Sequence, residues 1–244
     1  MLYSDKPRRS YSTPTCHEVI CQLTFPSILS INRDEPIDFQ ETVRGTFPRY
    51  ARTEDKNKLV NYHLISSDGQ SRLNLTRDFI SLSALSYPGW ESFAGAFDRP
   101  LASFIKLYNP AYFSRIGLRY INFISRQKLA LEYTPWSELL AQPYASILAE
   151  EDCPENGVLQ LSNDFILKPE NEITAHVHSG LGRVKSNLPG AKEDPELKFI
   201  LDIDVYVSGS IECTRAAELL NKLHSYASSI YEGAITDELR RAME

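Results

Sequence analysis

Cysteine is scarce in this sequence, with 4 residues in 244, and no two of them form a C-x-x-C pair. They lie at Cys16, Cys21, Cys153 and Cys213. Disulfide-stapled secreted domains and zinc ribbons need closely and regularly spaced cysteines, so this spacing argues against both classes. We interpret the four residues as reduced thiols and predict a cytoplasmic protein.

The short motifs that carry common enzyme chemistry are also missing. The sequence contains no G-x-S-x-G, no H-E-x-x-H, no P-loop and no G-x-G-x-x-G. Those motifs place a nucleophile, a zinc ion or a phosphate group against the fold. We therefore predict no catalytic residues, no metal site and no cofactor, and we favour a binding protein over an enzyme.

Long apolar runs and an excess of positive charge are absent as well. No stretch approaches the roughly 20 apolar residues of a membrane-spanning helix, and residues 1–12 are polar, with no apolar segment after them that could act as a signal peptide. Acidic residues outnumber basic ones by 32 to 26, which gives a net charge of −6. This balance disfavours membrane association and general nucleic-acid binding.

The most distinctive stretch that is present covers residues 114–124, which read as one long strand rich in β-branched and aromatic residues. Side chains alternate across a strand, so Arg115 and Arg119 share one face, while Tyr120 and Asn122 lie on the other. Two guanidinium groups are unusual in so apolar a segment, because buried charges must be paired. This strand lies near the middle of the chain.

The order of predicted elements repeats on either side of this point. Each half reads strand, helix, three-strand meander, helix, which predicts an α+β fold of two β-α-β-β-β-α halves. The halves would form a curved, mainly antiparallel sheet of about eight strands with helices on one face. We predict a flexible arm over residues 1–14 and a single body over 15–244, divided into halves 15–110 and 111–244; two separate α+β domains are the alternative.

A second polar strand is predicted over residues 197–207, where Asp202, Asp204 and Tyr206 share one face. If this face meets that of Arg115 and Arg119, Arg–Asp pairs can form across the sheet. Such a network could be purely structural, or it could be the polar floor of a binding site. The candidate binding residues are Arg115, Arg119, Tyr120, Asn122, Asp202, Asp204 and Tyr206.

Two further features have a functional and a structural interpretation. His176 and His178 lie two apart on a predicted strand, but a metal site needs further ligands and none has a recognised spacing. Residues 180–195 form the longest predicted loop, in which Arg183 and Lys185 are candidates for contact with a partner. A plain surface hairpin is the alternative for that loop.

Several stretches resemble a sporadically distributed, uncharacterised bacterial family of about 250 residues. They are Glu18-Val19 with Leu23 and Phe25, Phe39-Gln40-Glu41, Asp68-Gly69, Tyr87, Trp90-Glu91-Ser92-Phe93, residues 115–122, residues 201–204, and the C-terminal stretch from Leu223-His224 through Ile235-Thr236. The resemblance spans nearly the whole chain, and residues 117–122 are its most specific part. It implies genes that travel with mobile-element, toxin–antitoxin or phage-defence loci.

Three functions follow as hypotheses. The first is a non-enzymatic binding protein that uses an open sheet face to hold a protein partner encoded by a neighbouring gene, with a homodimer also plausible. The second is a small-molecule or nucleotide sensor with a pocket between sheet and helix, lined by Arg115, Arg119, Asn122 and Tyr206. The third is a metal-dependent enzyme on phosphate esters, with Asp202 and Asp204 as its carboxylates.

Overall fold

The structure is a computed structural model that describes residues 2–5, 10–56, 58–184 and 194–244. Within those residues the chain forms nine β-strands and six α-helices, joined by loops and short 3-10 turns. The strands are β1 (Cys16–Thr24), β2 (Arg49–Glu54), β3 (Val60–Ile65), β4 (Ser71–Leu75), β5 (Phe79–Ala84), β6 (Phe113–Ile124), β7 (Leu161–Leu167), β8 (Ile173–Gly182) and β9 (Lys198–Ile211). The helices are α1 (Ile37–Val43), α2 (Trp90–Tyr108), α3 (Trp136–Leu139), α4 (Gln142–Ala145), α5 (Ala216–Ala234) and α6 (Asp237–Met243).

All nine strands belong to one open sheet in the order β2-β3-β4-β5-β1-β6-β9-β8-β7. Every neighbouring pair is antiparallel. The α+β class and the antiparallel sheet are therefore confirmed. None of the helices in the described part of the chain is long and apolar enough to cross a membrane.

The finer expectation of two β-α-β-β-β-α halves is not confirmed, because the two halves differ. In the first half α1 is followed by four strands, and in the second half two short helices precede three strands. In both halves the last strand of the meander returns to pair with the first strand, since β5 pairs with β1 and β9 pairs with β6. The strands β1 and β6 then join the halves at the centre of the sheet.

The extra strand is β2, which overlaps residues 52–58, a charged stretch for which the sequence predicts a loop. All six residues of β2 are exposed, and it forms one edge of the sheet, paired only with β3. Edge strands often carry charged side chains, which discourage pairing with other chains. The charged side chains of β2 are Arg49, Arg52 and Glu54. Because the strand has no alternating apolar residues, its sequence does not show the usual pattern of a strand.

The Thr134-Pro135 pair is a helix start signal, and the sequence predicts one helix from there to about Leu148, but the structure has α3 and α4 instead. Leu140 lies between them in extended backbone and pairs with Ile235, near the end of α5. The N–H of Ala141 donates to the carbonyl of Ala234 at 2.8 Å, and the N–H of Thr236 donates to Leu139 at 3.0 Å. These tertiary hydrogen bonds outweigh the local preference of the segment for one continuous helix.

The sheet has two chemically different faces because side chains alternate along each strand. On one face the central strands carry fully buried apolar residues such as Leu23, Leu118 and Val205. Helix α5 packs against β6 and β9 and is buried through residues such as Leu219 and Leu223. That all the helices lie on this face stays a prediction. The side chains on the opposite face of β6 and β9 are mostly half-buried or exposed.

The described residues of the predicted N-terminal arm contact the C-terminal helices. The N–H of Ser4 donates to the carbonyl of Ser229 at 3.0 Å, and the N–H of Thr13 donates to that of Met243 at 3.0 Å. The hydroxyl of Tyr144 donates to the carbonyl of Leu2 at 2.6 Å. The flexibility of the arm stays a prediction, but Leu2, Ser4 and Thr13 are hydrogen-bonded to the body.

Candidate functional site

A row of polar and charged side chains crosses four neighbouring strands on the less covered face of the sheet. We call this row the polar stripe. Its backbone positions follow the sheet register, in which Asp164 lies opposite His178, His178 opposite Asp202, and Asp204 opposite Arg119. The polar stripe consists of Asp164 on β7, His176 and His178 on β8, Asp202, Asp204 and Tyr206 on β9, and Arg115 and Arg119 on β6.

Arg115 lies along the surface of its own strand and binds β9. Its terminal nitrogen NH2 is 2.8 Å from both carboxylate oxygens of Asp204, and its guanidinium carbon is 4.4 Å from the ring centre of Tyr206. The lack of a side chain at Gly117 makes room for this arrangement, because a Cβ there would fall 2.2 Å from the guanidinium. The glycine in the middle of the strand thus has a specific steric role.

Arg119 makes a two-pronged ion pair with Asp202, two positions along β9 from Asp204. Its Nε donates to one carboxylate oxygen at 2.8 Å, and its NH2 donates to the other. This fork geometry fixes the orientation of both groups. The hydrogen bonds that Arg119 donates to Asp202 raise the pKa of Arg119, and the charges of Asp202, Asp204 and Glu18 add to this effect. The polar faces of β6 and β9 therefore meet, as the alternation of both strands allows.

At the β7 end of the polar stripe, two histidines of β8 contact the same carboxylate, that of Asp164. His176 Nε2 and His178 Nδ1 each lie 3.2 Å from a different oxygen of Asp164. The side chain of Asp164 is 54% exposed, so water screens these contacts. The hydrogen bond from His178 is the largest cause that lowers the pKa of Asp164, followed by the charge of His178 and the bond from His176.

The lowered pKa of Asp164 predicts a pH dependence of stability. Its ionised form is favoured in the folded state, so the stabilisation is complete above the ordinary pKa of an aspartate and disappears as the pH falls through the lowered value. We expect Asp164→Asn to be less stable than the wild type near neutral pH and equally stable in strong acid. Urea denaturation of both proteins at a series of pH values measures this difference. A difference that does not change with pH would contradict the assigned cause.

The polar stripe lines a depression of about 380 Å³ formed by Arg119, Asp164, His176, His178, Asp202 and Asp204. Among the residues that the structure describes, no group of three or more His, Cys, Asp or Glu side chains is arranged to hold a metal ion. The side chains are instead paired with one another. The polar stripe can therefore present a fixed pattern of carboxylates, imidazoles and guanidinium groups to another molecule.

The other two candidate residues on β6, Tyr120 and Asn122, lie on the opposite face of the sheet. They line a cavity of about 180 Å³ between β6, α5, the segment that leads into β1 and the turn before α2. We call it the tyrosine cavity, because Tyr11, Tyr87, Tyr120 and Tyr231 all contribute to its wall. The seven candidate binding residues thus belong to two separate places, and Asn122 does not share a pocket with Arg115, Arg119 or Tyr206.

The hydroxyl of Tyr120 is held in a line of aromatic side chains. It lies 2.8 Å from Nδ1 of His224 and 3.3 Å from the hydroxyl of Tyr87. The His224 ring stacks on Trp90, with ring centres 4.5 Å apart and planes 5° from parallel. The indole N–H of Trp90 donates to Asn221 at 2.7 Å. Residues from β6, α2 and α5 together fix where the Tyr120 hydroxyl points.

A buried ion pair borders the tyrosine cavity. Glu232 on α5 is 2% exposed; one of its oxygens accepts from the Tyr11 hydroxyl at 2.8 Å and the other from Nε of Arg240 at 2.9 Å. Nearby, Thr15 is 2.7 Å from the Tyr231 hydroxyl, and burial raises the pKa of Tyr231 above its ordinary value. That hydroxyl therefore stays neutral over the physiological pH range.

Of the two loop candidates, only Arg183 belongs to the described residues. Strand β8 continues to Gly182, which pairs with Lys198, so the predicted loop begins later than residue 180. Arg183 is exposed, and its Nε donates to the carbonyl of Pro195 at 3.4 Å. Lys185 lies outside the described residues.

The sequence reasoning missed most of the tyrosine cavity. Thr15, Tyr231 and Glu232 were not candidates, although each is polar and packs among apolar neighbours. One signal was present: Asn122 falls on the face of β6 that otherwise carries Ile116, Leu118 and Ile124. A polar residue in a buried apolar row needs hydrogen-bond partners, and those partners line the cavity.

Two comparisons with known proteins found no relative of this chain. No protein-family model matches the chain, and a search of curated proteins gave no significant match. The resemblance to a sporadically distributed bacterial family stays a prediction.

Proposed function

We propose that this protein is a non-enzymatic binding protein and that the polar stripe is its docking surface for a protein partner. The observation that carries the proposal is the array of hydrogen-bonded carboxylates, guanidinium groups and imidazoles on β6, β7, β8 and β9, on the face of the sheet where side chains remain partly exposed. Strands hold side chains more rigidly than loops do, so the charge pattern is fixed before a partner arrives.

The ion pairs of the polar stripe contribute little to the stability of the fold. The exposed fractions are 28% and 27% for Arg115 and Asp204, and 46% and 17% for Arg119 and Asp202. Ion pairs open to water are each worth about 0–1 kcal/mol. A role in recognition accounts for their clustering better than a role in folding does.

The mixture of signs favours a protein partner over nucleic acid. Asp164, Asp202 and Asp204 would repel a phosphate backbone, whereas a protein surface can offer acidic and basic groups in a matching pattern. Tyr206 adds an aromatic side chain of the kind enriched in protein interfaces. Complementary charges would set the orientation and the association rate of such a complex.

We further propose that a neighbouring gene encodes the partner, within a mobile-element, toxin–antitoxin or phage-defence system in the cytoplasm. This part of the proposal is supported only by the resemblance of residues 117–122 and the other matching stretches. It is independent of the geometry of the polar stripe, so either part can fail alone.

A charge-swapped variant tests the docking surface. Arg119→Asp combined with Asp202→Arg keeps an ion pair at the same place in the sheet but reverses the pattern that a partner meets. We expect stability within about 1 kcal/mol of wild type, and at least about tenfold weaker partner binding because like charges then face each other. Affinity capture from the native host with quantitative mass spectrometry measures the loss of the partner.

The matched control is the double variant Glu41→Arg with Arg44→Glu at the C-terminal end of α1. This exposed pair, at 2.7 Å, is reversed in the same way but lies outside the polar stripe. It should capture as much partner as the wild type does. If the variant swapped in the polar stripe also retains the partner in full, or if only copies of this chain are captured, the proposal is wrong.

A further inference from the structure

The tyrosine cavity plays no part in the proposed docking surface, because it lies on the opposite side of β6. Its volume of about 180 Å³ sets the size of what it can hold. An engineered cavity of roughly 150 Å³ in another protein takes up benzene. The tyrosine cavity is therefore large enough for a small planar aromatic ligand.

The walls of the cavity suit a flat ring. Tyr87 and Tyr120 meet edge to face, with ring centres 5.5 Å apart and planes at 81°. Tyr11 and Tyr231 add two more aromatic side chains to the lining. Aromatic rings attract one another in offset-stacked and edge-to-face arrangements, so a planar ligand gains contacts here that a branched aliphatic one does not.

One side chain in the cavity can read the edge of a heteroaromatic ring. Asn122 is 4% exposed; its Nδ2 donates to the carbonyl of Leu201 at 3.0 Å, and its Oδ1 accepts from Thr15 at 3.4 Å. An amide carries two N–H donors and two lone pairs. The two hydrogen bonds to Leu201 and Thr15, both among the described residues, use one N–H and one lone pair. One N–H donor and one acceptor lone pair of the Asn122 amide therefore remain. An adjacent donor and acceptor is the pattern with which asparagine reads the edge of adenine.

The charge of the walls points to an uncharged ligand. Among the described residues that line the cavity there is no lysine or arginine. The one carboxylate, Glu232, is neutralised by Arg240 and accepts from Tyr11. A phosphate group placed here would meet hydroxyls and an amide but no cation from these residues.

We propose that the tyrosine cavity binds an uncharged heteroaromatic ring of nucleobase size. The ring packs between the tyrosines, and its polar edge hydrogen-bonds to the amide of Asn122. This site is separate from the polar stripe. The proposal therefore does not depend on whether a protein docks on the polar stripe.

Thermal denaturation of the purified full-length protein with adenine, cytosine, uracil or adenosine monophosphate tests the proposal. At a concentration near 100 times its Kd, a base that fits should raise the Tm by about 5 °C for a chain of this size. Adenosine monophosphate should give a smaller rise than adenine. If no base shifts the Tm, or if the phosphate compound binds more tightly than adenine, the proposal is overturned.

Three variants locate the binding. Ser228→Trp fills the cavity from α5 and should abolish the shift, and Asn122→Ser should weaken binding at least about tenfold because it removes the amide. Tyr133→Phe, at a fully exposed tyrosine outside the cavity lining, should bind as the wild type does. Circular dichroism checks that each variant is folded, and Ser228→Trp provides the test if Asn122→Ser is not. Unchanged binding by folded Ser228→Trp would show that the ring binds elsewhere and would overturn the proposal.

Discussion

Replacing Arg240 by methionine is expected to lower the free energy of unfolding by about 3–5 kcal/mol, the largest loss that we predict for a single side chain. The reason is that the substitution leaves the carboxylate of Glu232 without its partner. Glu232 is 2% exposed, and without Arg240 its carboxylate would be a buried charge with no opposite charge beside it. The cost of such a charge exceeds the loss of the contacts themselves.

Arg240 also connects the two C-terminal helices. Besides its bond to the Glu232 carboxylate, it donates to the Glu232 backbone carbonyl on α5 and to Asp237 in the first turn of α6. Its own side chain is 7% exposed. The substitution therefore loosens the packing of α6, which holds the segment around Thr13 through the Met243 carbonyl.

Chemical denaturation measures this loss, and two variants serve as controls. Arg241→Met removes an arginine whose side chain is 69% exposed and whose partner is Glu238, and it should cost less than about 1 kcal/mol. Adding Glu232→Leu to Arg240→Met removes the stranded charge and should restore most of the stability. Equal losses for Arg240→Met and Arg241→Met would show that the buried pair has no special cost.

The second large effect is expected for Gly180→Ala in β8, at about 2–3 kcal/mol of destabilisation. A Cβ at this position would lie 2.3 Å from the carbonyl oxygen of Leu161 and 3.3 Å from the Cα of Ser162. Both atoms are backbone of β7, so relief requires the edge strand to move away. That movement would also shift Asp164, at one end of the polar stripe.

Gly182→Ala on the same strand is the matched control. Its Cβ would also be too close to an atom, at 2.8 Å, but that atom is the end of the Ile200 side chain, which can rotate. We expect a loss below about 1 kcal/mol for this variant. Thermal denaturation of the two variants side by side measures the difference, and similar losses would mean that β7 is not fixed as described.

The alternation of side chains along β6 and β9 made it possible to predict which of their residues share a face. The face shared by Arg115 and Arg119, and the face shared by Asp202 and Asp204, follow from the two-residue period of a strand. The sequence could not show that β6 and β9 are neighbours, since strand order depends on contacts between distant segments. The structure supplies that order and brings the four side chains together.

Elements without an apolar pattern were missed. Strand β2 has no buried residue, so its sequence carries no period that distinguishes it from a loop. The break at Leu140 depends on pairing with Ile235, 95 residues later in the sequence. Neither feature can be read from local preference alone.

The tyrosine cavity could not be predicted from the sequence, because it also depends on contacts between distant segments. Its walls come from the segment before β1, the turn before α2, and from β6 and α5. Only Asn122, as a polar residue on an apolar strand face, indicated that something other than core packing lies there. The alternation already places Tyr120 and Asn122 on the face opposite the arginines, so one binding site could not include all four side chains.

Side-chain footprinting of the complex isolated from the native host tests the docking surface most directly. Hydroxyl radicals oxidise accessible tyrosines and histidines, and mass spectrometry locates the modified residues. We predict that Tyr206, His176 and His178 react less in the complex than in the free protein, while the fully exposed Tyr133 reacts equally in both. Unchanged reactivity at all three residues of the polar stripe would contradict the proposal that a partner docks there.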